Sequence, residues 1–210
     1  MQTTILFIRH GEVENPRGIF YGRLPRFRLS ALGRKQAAAA AAVLATPAAS
    51  AVARWLSALG PPQAIFCSPM LRTRQTAQII ANQFPHLTRH ISQQLNEVYS
   101  PYEGSPISLA ESRDWEVYAG IPANYEQPED VLARILKFTT ALPRKFPGEC
   151  VLVVTHGDPI FFLTLWAMGR KFISKKGQNF YPAPASITSF IFEGDGSGKP
   201  EYHYYHPQVN

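Results

Sequence analysis

The chain has 210 residues, of which 45% are hydrophobic and 17% are charged, as expected for a globular protein with a sizeable core. The formal net charge of +6 favours anionic ligands, but no basic stripe with interleaved aromatic residues is present, so we expect no nucleic-acid partner. The sequence contains no apolar run of about 18 residues and no signal-like start, which favours a cytoplasmic protein without a membrane partner. Cys67 and Cys150 lie in apolar runs and are predicted to be buried free thiols.

The N-terminal elements are predicted from apolar and helix-forming runs. Residues 4–9 are rich in β-branched and aromatic side chains and predict a strand. Residues 12–28 contain several prolines and glycines, which predicts a long loop. Ser30 is a candidate N-cap for a helix that an alanine run extends to about Ala45. A second short helix is predicted over residues 48–59.

The middle of the chain combines two strands and a helix with a turn-rich segment. Residues 64–67 predict a short buried strand, and residues 71–83 predict the helix that follows it. Residues 88–92 are predicted to form an edge strand. Residues 96–128 are rich in turn-forming residues, so we expect loops and one short helix there.

The C-terminal third carries the clearest strand of the sequence. Residues 129–142 predict an amphipathic helix. The continuous apolar run over residues 150–155 indicates a central parallel strand that is covered on both faces. A helix is expected to follow this strand as far as about Met168. Residues 187–192 and 202–205 then predict two strands that pair as a hairpin.

The alternation of strands and helices predicts an α/β fold, a three-layer α/β/α arrangement with a mostly parallel central sheet, as a single domain over residues 1–210.

Three predicted strands end in polar groups: Arg9-His10-Gly11, Ser68 to Arg72, and Thr155-His156-Gly157. Gly11 is expected to take a positive φ for a sharp exit from its strand. Because ligands of open α/β sheets bind at the carboxyl ends of strands, these groups are expected to converge.

Two arginines and two histidines around one point suit phosphoryl transfer. Arginine offers paired donors to phosphate oxygens, and a neutral histidine can attack phosphorus. A nearby carboxylic acid can protonate the leaving oxygen and then deprotonate water. Charge stabilisation and positioning supply most of the catalysis in such reactions. The scheme requires neither a metal nor a cofactor.

The ordered set of motifs resembles the histidine phosphatase superfamily, which has the phosphoglycerate-mutase-like fold. The matching segments run from residue 4 to about residue 160: Leu6 to Glu12, Leu29-Ser30 with Gly33, Gln36 and Ala37, Cys67 to Arg72 with Gln75, Thr76 and Ala77, Glu97 with Glu103-Gly104, and Thr155-His156-Gly157. The resemblance implies that His10 is the nucleophile and Glu97 the proton donor. It also implies that Arg9, Arg72 and His156 bind the phosphate group.

The residues leave alternatives open for the acid and for the role of Asn15. Glu12, Glu103 and Asp158 compete with Glu97 for the role of acid. The family often has an asparagine where this chain has Pro16, so Asn15 is either a substrate-binding residue or part of an Asn-Pro turn.

The loop over residues 12–28 supplies three further substrate-binding candidates, Tyr21, Gly22 and Arg23. The loop arginines would otherwise be solvated surface residues. Specificity is expected to reside in loops 12–28, 98–128 and 170–185. Arg9 could instead turn to the opposite side of its strand and form an ion pair.

Three functions are compatible with these motifs. The leading hypothesis is a phosphatase that hydrolyses a small phosphorylated substrate. A cofactor-dependent phosphoglycerate mutase is the alternative, but the arginine-rich segment of that branch is absent after Glu97. A non-catalytic phosphate-binding scaffold is the third. The sequence leaves open which substrate is used and whether the chain forms a homo-oligomer.

Overall fold

The computed structural model describes residues 1–46, 60–172 and 180–209. The helix predicted over residues 48–59 therefore lies outside the described residues, as does part of the predicted loop 170–185. The strands are β1 (Gln2–Arg9), β2 (Pro62–Cys67), β3 (Arg89–Ile91), β4 (Cys150–Thr155), β5 (Ile187–Glu193) and β6 (Glu201–Tyr205). The helices are α1 (Ala31–Ala45), α2 (Leu71–Ala81), α3 (Ile107–Glu111), α4 (Pro128–Thr139), α5 (Leu142–Lys145) and α6 (Gly157–Ala167), with a 3-10 helix at Gln93–Leu95.

The six strands form one sheet in the order β3-β2-β4-β1-β5-β6. Strands β3, β2, β4 and β1 are parallel to one another, whereas β5 runs antiparallel to β1 and pairs with β6 as a hairpin. The predicted mostly parallel sheet, with β4 at its centre and residues 88–92 at its edge, is confirmed. Within the described residues, no helix has the length and apolar character needed to cross a membrane.

Alternate side chains of the central strands pack against different helices, which produces the three layers. Leu6 and Ile8 of β1 belong to a buried cluster with Ala41 of α1 and Ile80 of α2. Side chains of opposite parity from β1 and β4 pack instead with α4 and α6: Ile5, Phe7, Val151, Val153, Ile135 and Leu163. The continuous apolar run of β4 is therefore explained by cover on both faces.

The helix boundaries follow local chemistry. The hydroxyl of Ser30 accepts a hydrogen bond from the amide of Gly33 (2.9 Å), so the predicted N-cap is confirmed. Helix α4 begins at Pro128, a favoured first-turn residue, and ends at Thr139, three residues before the predicted end.

Both cysteines are buried free thiols, as predicted, and burial raises the pKa of Cys150 to about 12.

Candidate active site

The carboxyl ends of β1, β2 and β4 lie side by side, so the three predicted polar segments leave the sheet together. Arg9 is paired with Thr155 across the ladder, and the His10 amide donates to the Thr155 carbonyl (3.0 Å). The Ser68 amide donates to the Val154 carbonyl (3.2 Å). The register of a parallel sheet thus brings residues that are about 60 to 150 positions apart in sequence into one cluster.

His10 is buried, with 2% of its surface exposed. Its Nδ1 lies 2.7 Å from the Gly11 carbonyl oxygen. Because a carbonyl only accepts hydrogen bonds, Nδ1 carries the proton, and the lone pair is on Nε2. Burial, with smaller contributions from Arg72 and Arg9, lowers the pKa of His10 well below its usual value. The ring is therefore neutral at physiological pH, as a nucleophilic imidazole must be.

Gly11 is required for close packing and not for an unusual backbone angle. The predicted positive φ at Gly11 is wrong, because this residue is absent from the glycines with positive φ. A Cβ at Gly11 would overlap the carbonyl of Gly33, and a Cβ at Gly33 would overlap the carbonyl of Glu12. The loop after β1 therefore lies directly on the start of α1, which holds the backbone next to His10 in place.

Arg72 lies in the first turn of α2 and is 1% exposed. Its Nε donates to Nε2 of His10 (3.2 Å), and its Nη2 lies within hydrogen-bond distance of His156 Nδ1 (3.1 Å). Nη2 also donates to the Gly22 carbonyl (2.6 Å), while the guanidinium carbon lies 4.7 Å from the ring centre of Tyr21. Burial lowers the pKa of Arg72, but a guanidinium stays charged in proteins.

His156 completes what we call the histidine–arginine cluster, which consists of His10, Arg72 and His156. Because Arg72 donates to Nδ1, the proton of His156 is on Nε2, which donates to the Ser68 hydroxyl (2.7 Å). Ser68 Oγ lies 2.8 Å from Thr73 Oγ1. Burial first, and then Arg72, lower the pKa of His156 well below its usual value. Sequence reasoning missed the supporting roles of Ser68 and Thr73, although Ser68 lies in a quoted motif.

Glu97 follows the 3-10 helix and lines a cavity beside the cluster. Its Oε1 accepts from the Val98 amide (3.0 Å). Burial raises the pKa of Glu97, and the neighbouring Asp158 raises it further. Of the three competing carboxylates, Glu103 and Asp158 also line the cavity. Glu12 does not: it is exposed and accepts a hydrogen bond from the Ser30 hydroxyl (2.6 Å).

Asn15 and Arg23, predicted to bind substrate, do not line the cavity, and each side chain has partners outside it. The Asn15 side chain closes its own turn, donating to the Ile19 carbonyl (2.8 Å) and accepting from the Ile19 amide (3.2 Å). The alternative of an Asn-Pro turn is therefore the one observed. The guanidinium of Arg23 pairs with Glu126 (2.7 Å) and donates to the Glu97 carbonyl (2.7 Å).

The backbone of Glu97 is thus held by basic residues outside the cavity. Arg134 of α4 donates to the same carbonyl (3.2 Å) and also pairs with Glu126 (2.8 Å). Glu126 therefore joins Arg23 and Arg134 into one charged support for the segment that carries Glu97. The sequence offered no signal for this support, since its members are up to 111 positions apart along the chain.

Arg9 faces the cavity. Its Nη1 donates to the Pro182 carbonyl (2.6 Å), and its guanidinium lies 5.2 Å from the ring centre of Tyr181. The Nε of Arg9 is buried and, within the described part of the chain, has no hydrogen-bond partner. A buried donor without a partner is costly, so an anionic group at this position would stabilise it.

The cavity has a volume of about 720 Å³ and is walled mainly by rings. We call it the aromatic cavity; its aromatic lining residues are Phe20, Tyr21, Trp115, Tyr118, Phe161, Phe180 and Tyr181. Tyr21 and Gly22, predicted to bind substrate, line it and contact Arg72. The members of the histidine–arginine cluster are not among its lining residues, so Tyr21 and Gly22 form the boundary between the cluster and the cavity.

Asp158 is held in this wall by two phenols. The Tyr181 hydroxyl donates to Oδ1 (2.8 Å), and the Tyr118 hydroxyl donates to Oδ2. Burial, and then Asp158, raise the pKa of both tyrosines well above their usual value. A Cβ on Gly157 would overlap the Tyr181 hydroxyl. A larger residue at this position would require the Tyr181 ring to shift.

The fold and these groups define an α/β protein with a buried cluster of two histidines and an arginine at the carboxyl edge of its sheet. A model of the histidine phosphatase superfamily (branch 1) matches residues 5–202. The chain therefore belongs to the histidine phosphatase superfamily. This finding confirms the family resemblance drawn from the strand-end motifs.

Known proteins extend the comparison. The chain is 33% identical over 204 residues to the uncharacterized protein Rv0525 of Mycobacterium tuberculosis, with 92% of each chain covered. Mycobacterial glucosyl-3-phosphoglycerate phosphatase Rv2419c has a similar structure: TM-score 0.76, 21% identity, coverage 99% of this chain and 100% of the other. Phosphoserine phosphatase from Entamoeba histolytica has a TM-score of 0.74 at 21% identity, with coverage of 99% and 98%. The shared phosphoglycerate-mutase-like fold confirms the predicted fold class.

Proposed function

We propose that the protein is a phosphomonoester hydrolase that acts on small phosphorylated metabolites through a phosphohistidine at His10. The observation that carries this proposal is the neutral His10 ring, whose Nε2 lone pair points at the Arg72 guanidinium (3.2 Å) beside His156. Membership of the superfamily and structural likeness to phosphatases support it.

In the first step the phosphate group replaces the two histidines as the acceptor of the hydrogen bonds that Arg72 donates. Arg72 then donates to phosphate oxygens, and the Nε2 lone pair of His10 is released for attack on phosphorus. The bond from Nε2 to phosphorus forms while the bond from phosphorus to the ester oxygen breaks. The positive charge that develops on the imidazole is shared through Nδ1–H with the Gly11 carbonyl (2.7 Å).

Glu97 protonates the leaving oxygen. Its raised pKa keeps a larger fraction of the carboxyl protonated at a given pH, which a general acid requires. The alcohol then departs, and water attacks the phosphohistidine while the Glu97 carboxylate takes its proton. Phosphate is released, His10 regains its lone pair, and Glu97 is again a carboxylic acid. Arg9 stabilises the transferred group through its unsatisfied Nε.

The test is to trap the phosphoenzyme. The wild-type protein is mixed rapidly with a ³²P-labelled substrate, quenched in alkali, and assayed for label on His10. The variant His10→Ala should retain its fold by circular dichroism, incorporate no label and lose about 10⁴-fold or more in turnover, because the nucleophile is absent. His86→Ala is the matched control, because His86 is exposed and its ring lies beside the carbonyl of Pro62, the first residue of β2, away from the carboxyl end of that strand.

Normal turnover by His10→Ala would refute the mechanism. Absence of both label and turnover in the wild-type protein would instead favour the non-catalytic scaffold. Among residues 1–46, 60–172 and 180–209, Arg9 is the one basic residue that lines the aromatic cavity. These lining residues add no observation in favour of a phosphoglycerate mutase, whose substrate needs further basic contacts.

A further inference from the structure

The segment that carries the proposed acid has no regular structure of its own. Glu97 follows the 3-10 helix, and residues 96–100 belong to neither a helix nor a strand. A general acid must face the leaving oxygen while the phosphate is bound, and a misplacement of about 1 Å can cost about 10²-fold in rate. In the proposed mechanism the alcohol that receives this proton lies in the aromatic cavity, which Glu97 lines. This requirement rests on the proposed function, whereas the contacts of the segment do not.

Two arginines from distant parts of the chain bind the backbone of this segment. Arg134 of α4 donates from Nη1 to the Gln94 carbonyl (2.8 Å) and from Nη2 to the Glu97 carbonyl (3.2 Å). The Nε of Arg23 donates to the same Glu97 carbonyl (2.7 Å). The acid is therefore held at its backbone by two charged donors, and each leaves its carboxyl group available for the substrate.

Glu126 keeps these two guanidinium groups together. Its Oε2 accepts from Nη2 of Arg23 (2.7 Å) and from Nη2 of Arg134 (3.1 Å), and its Oε1 accepts from Nε of Arg134 (2.8 Å). Two positive groups that meet at one carbonyl repel each other, and the carboxylate between them offsets this repulsion. The side chains of Arg134, Glu126 and Arg23 are only 16%, 20% and 29% exposed, so solvent screens the pairs less than it screens pairs at the open surface.

The charged form of Glu126 is the one that this arrangement requires. Burial raises its pKa, but the hydrogen bonds and charge of Arg134, the Tyr99 amide and the charge of Arg23 outweigh burial, so the pKa lies below its usual value. The Tyr99 amide donates to Oε2 (2.9 Å), which gives the carboxylate four N–H donors together with those of the arginines. A glutamine cannot replace it, because the amide nitrogen is itself a donor and would face other donors.

The charged support also connects the acid to the histidine–arginine cluster. The carbonyl of Gly22 accepts from Nη2 of Arg72 (2.6 Å), and the next residue is Arg23, whose side chain reaches the Glu97 carbonyl. The Arg23 amide donates to the Glu103 carboxylate (2.6 Å), which holds this turn of the loop. Consecutive residues thus contact the phosphate-binding arginine and the proposed acid, and this fixes the two relative to each other.

We propose that Glu126 is a positioning residue for the proposed acid: by holding Arg23 and Arg134 at the Glu97 carbonyl, it keeps the Glu97 carboxyl group facing the leaving oxygen. Glu126 does not line the aromatic cavity, so it acts through Glu97 and not on the substrate. Its loss should therefore slow the reaction of esters whose leaving oxygen needs a proton, and should spare esters whose leaving group departs as an anion.

The test measures single-turnover formation of the phosphoenzyme from ethyl phosphate and from 4-nitrophenyl phosphate. With Glu126→Gln we expect the rate for ethyl phosphate to fall by about 10- to 100-fold. The rate for 4-nitrophenyl phosphate should change by less than about twofold, because nitrophenolate departs without a proton. Glu129→Gln, which neutralises an exposed carboxylate in the first turn of α4, is the matched control and should change neither rate.

The same substitution in a Glu97→Gln background shows through which group Glu126 acts. Glu126→Gln should cause no further loss with ethyl phosphate in that background, because the acid that it positions is already absent. A role in folding alone would instead lower the rates of both esters and add to the effect of Glu97→Gln. Additive losses therefore overturn the positioning role.

The single variants separate this inference from the proposed function. If Glu97→Gln slows only the alkyl ester but Glu126→Gln slows both esters or neither, the acid stands and the positioning role is overturned. If Glu97→Gln does not discriminate between the esters, the proposed acid is wrong and the positioning role is overturned with it.

A measurement without turnover applies if the wild-type protein forms no phosphoenzyme. The Val98 amide donates to Oε1 of Glu97 (3.0 Å), so its hydrogen exchange, followed by NMR, reports whether the carboxyl group is held. Faster exchange of Val98 in Glu126→Gln, with exchange of Val153 in β4 unchanged, supports the positioning of Glu97 even though the reaction is wrong. Unchanged exchange of Val98 overturns both.

Discussion

The histidine–arginine cluster and the aromatic cavity are adjacent, yet they are built in opposite ways. The cluster consists of three buried side chains at strand and helix ends, joined by hydrogen bonds of 3.1 and 3.2 Å. The cavity has a volume of about 720 Å³ and is lined by loop residues together with residues of β1, α3 and α6, with carboxylates among its rings. In the proposed mechanism the buried cluster at the edge of the sheet stabilises charge on the phosphate group, while the cavity beside it holds the leaving group.

The sharpest test of this division concerns Glu97, which lines the cavity and is the proposed acid for the leaving oxygen. Glu97→Gln should slow phosphoenzyme formation from alkyl phosphates by about 10²–10⁴-fold. Aryl phosphates should be affected far less, because a nitrophenolate departs without a proton. Single-turnover kinetics with both ester types measures this step apart from dephosphorylation, which the variant should also slow.

Glu12→Gln is the control for that experiment, since Glu12 lies outside the cavity. Equal slowing of alkyl and aryl phosphates by Glu97→Gln would place the acid elsewhere. Glu103 and Asp158, which also line the cavity, would then be examined in the same way.

Arg72 should show the opposite pattern, because it belongs to the cluster. Arg72→Ala removes transition-state charge stabilisation and should lower kcat/KM by about 10²–10³-fold for alkyl and aryl phosphates alike. Arg72→Lys should recover little, since an ammonium cannot reproduce the donors that reach both histidines. The exposed Arg74 on the same helix provides the control Arg74→Ala. A strong dependence on leaving group in Arg72→Ala would contradict the separation of roles.

The charge of Asp158, which lines the cavity, affects the pKa of the proposed acid Glu97. Because Asp158 raises the pKa of Glu97, Asp158→Asn should lower that pKa. The acid then loses its proton at lower pH, so the basic limb of phosphoenzyme formation from alkyl phosphates should shift downward. On that limb the rate falls about tenfold for each pH unit of displacement.

The pH profile of single-turnover rates measures the Asp158→Asn shift, with Glu193→Gln, an exposed carboxylate on β5, as the control. A uniform loss of rate at all pH values would mean that Asp158 acts only by holding Tyr118 and Tyr181. The pKa of His10 is lowered by burial first, so its protonation should remain limited to pH values well below 6.5 in both proteins.

The smallest expected effect is that of a chelator. Arg9 and Arg72 already supply positive charge around the phosphate position, and the proposed steps use only side chains and water. Activity of the wild-type enzyme should therefore be unchanged after dialysis against EDTA, measured as initial rates with an aryl phosphate. Loss of activity that Mg²⁺ or Zn²⁺ restores would show that the cluster alone is insufficient.

The sequence by itself determined the sheet and the groups at its edge. Short continuous apolar runs bounded by turn residues indicate central strands, and residues directly after parallel strands meet at one edge of the sheet. The proximity of His10, Ser68 and His156 could therefore be predicted from the sequence. The position of Arg72 followed as well, because it lies in the first turn of the helix after β2. These predictions need only local sequence patterns and the rule that the carboxyl ends of parallel strands lie at the same edge of a sheet.

Tertiary structure alone decided the surroundings of that edge. Asn15 and Arg23 lie close to the predicted pocket in sequence, yet one closes a turn and the other pairs with Glu126. The phenols that hold Asp158 come from 40 positions before it and 23 positions after it. Periodicity reports which face of its own element a residue occupies, but it carries no information on which distant loop covers that face. For this reason the proximity of His10, Arg72 and His156 could be predicted from the sequence, whereas the aromatic cavity could not.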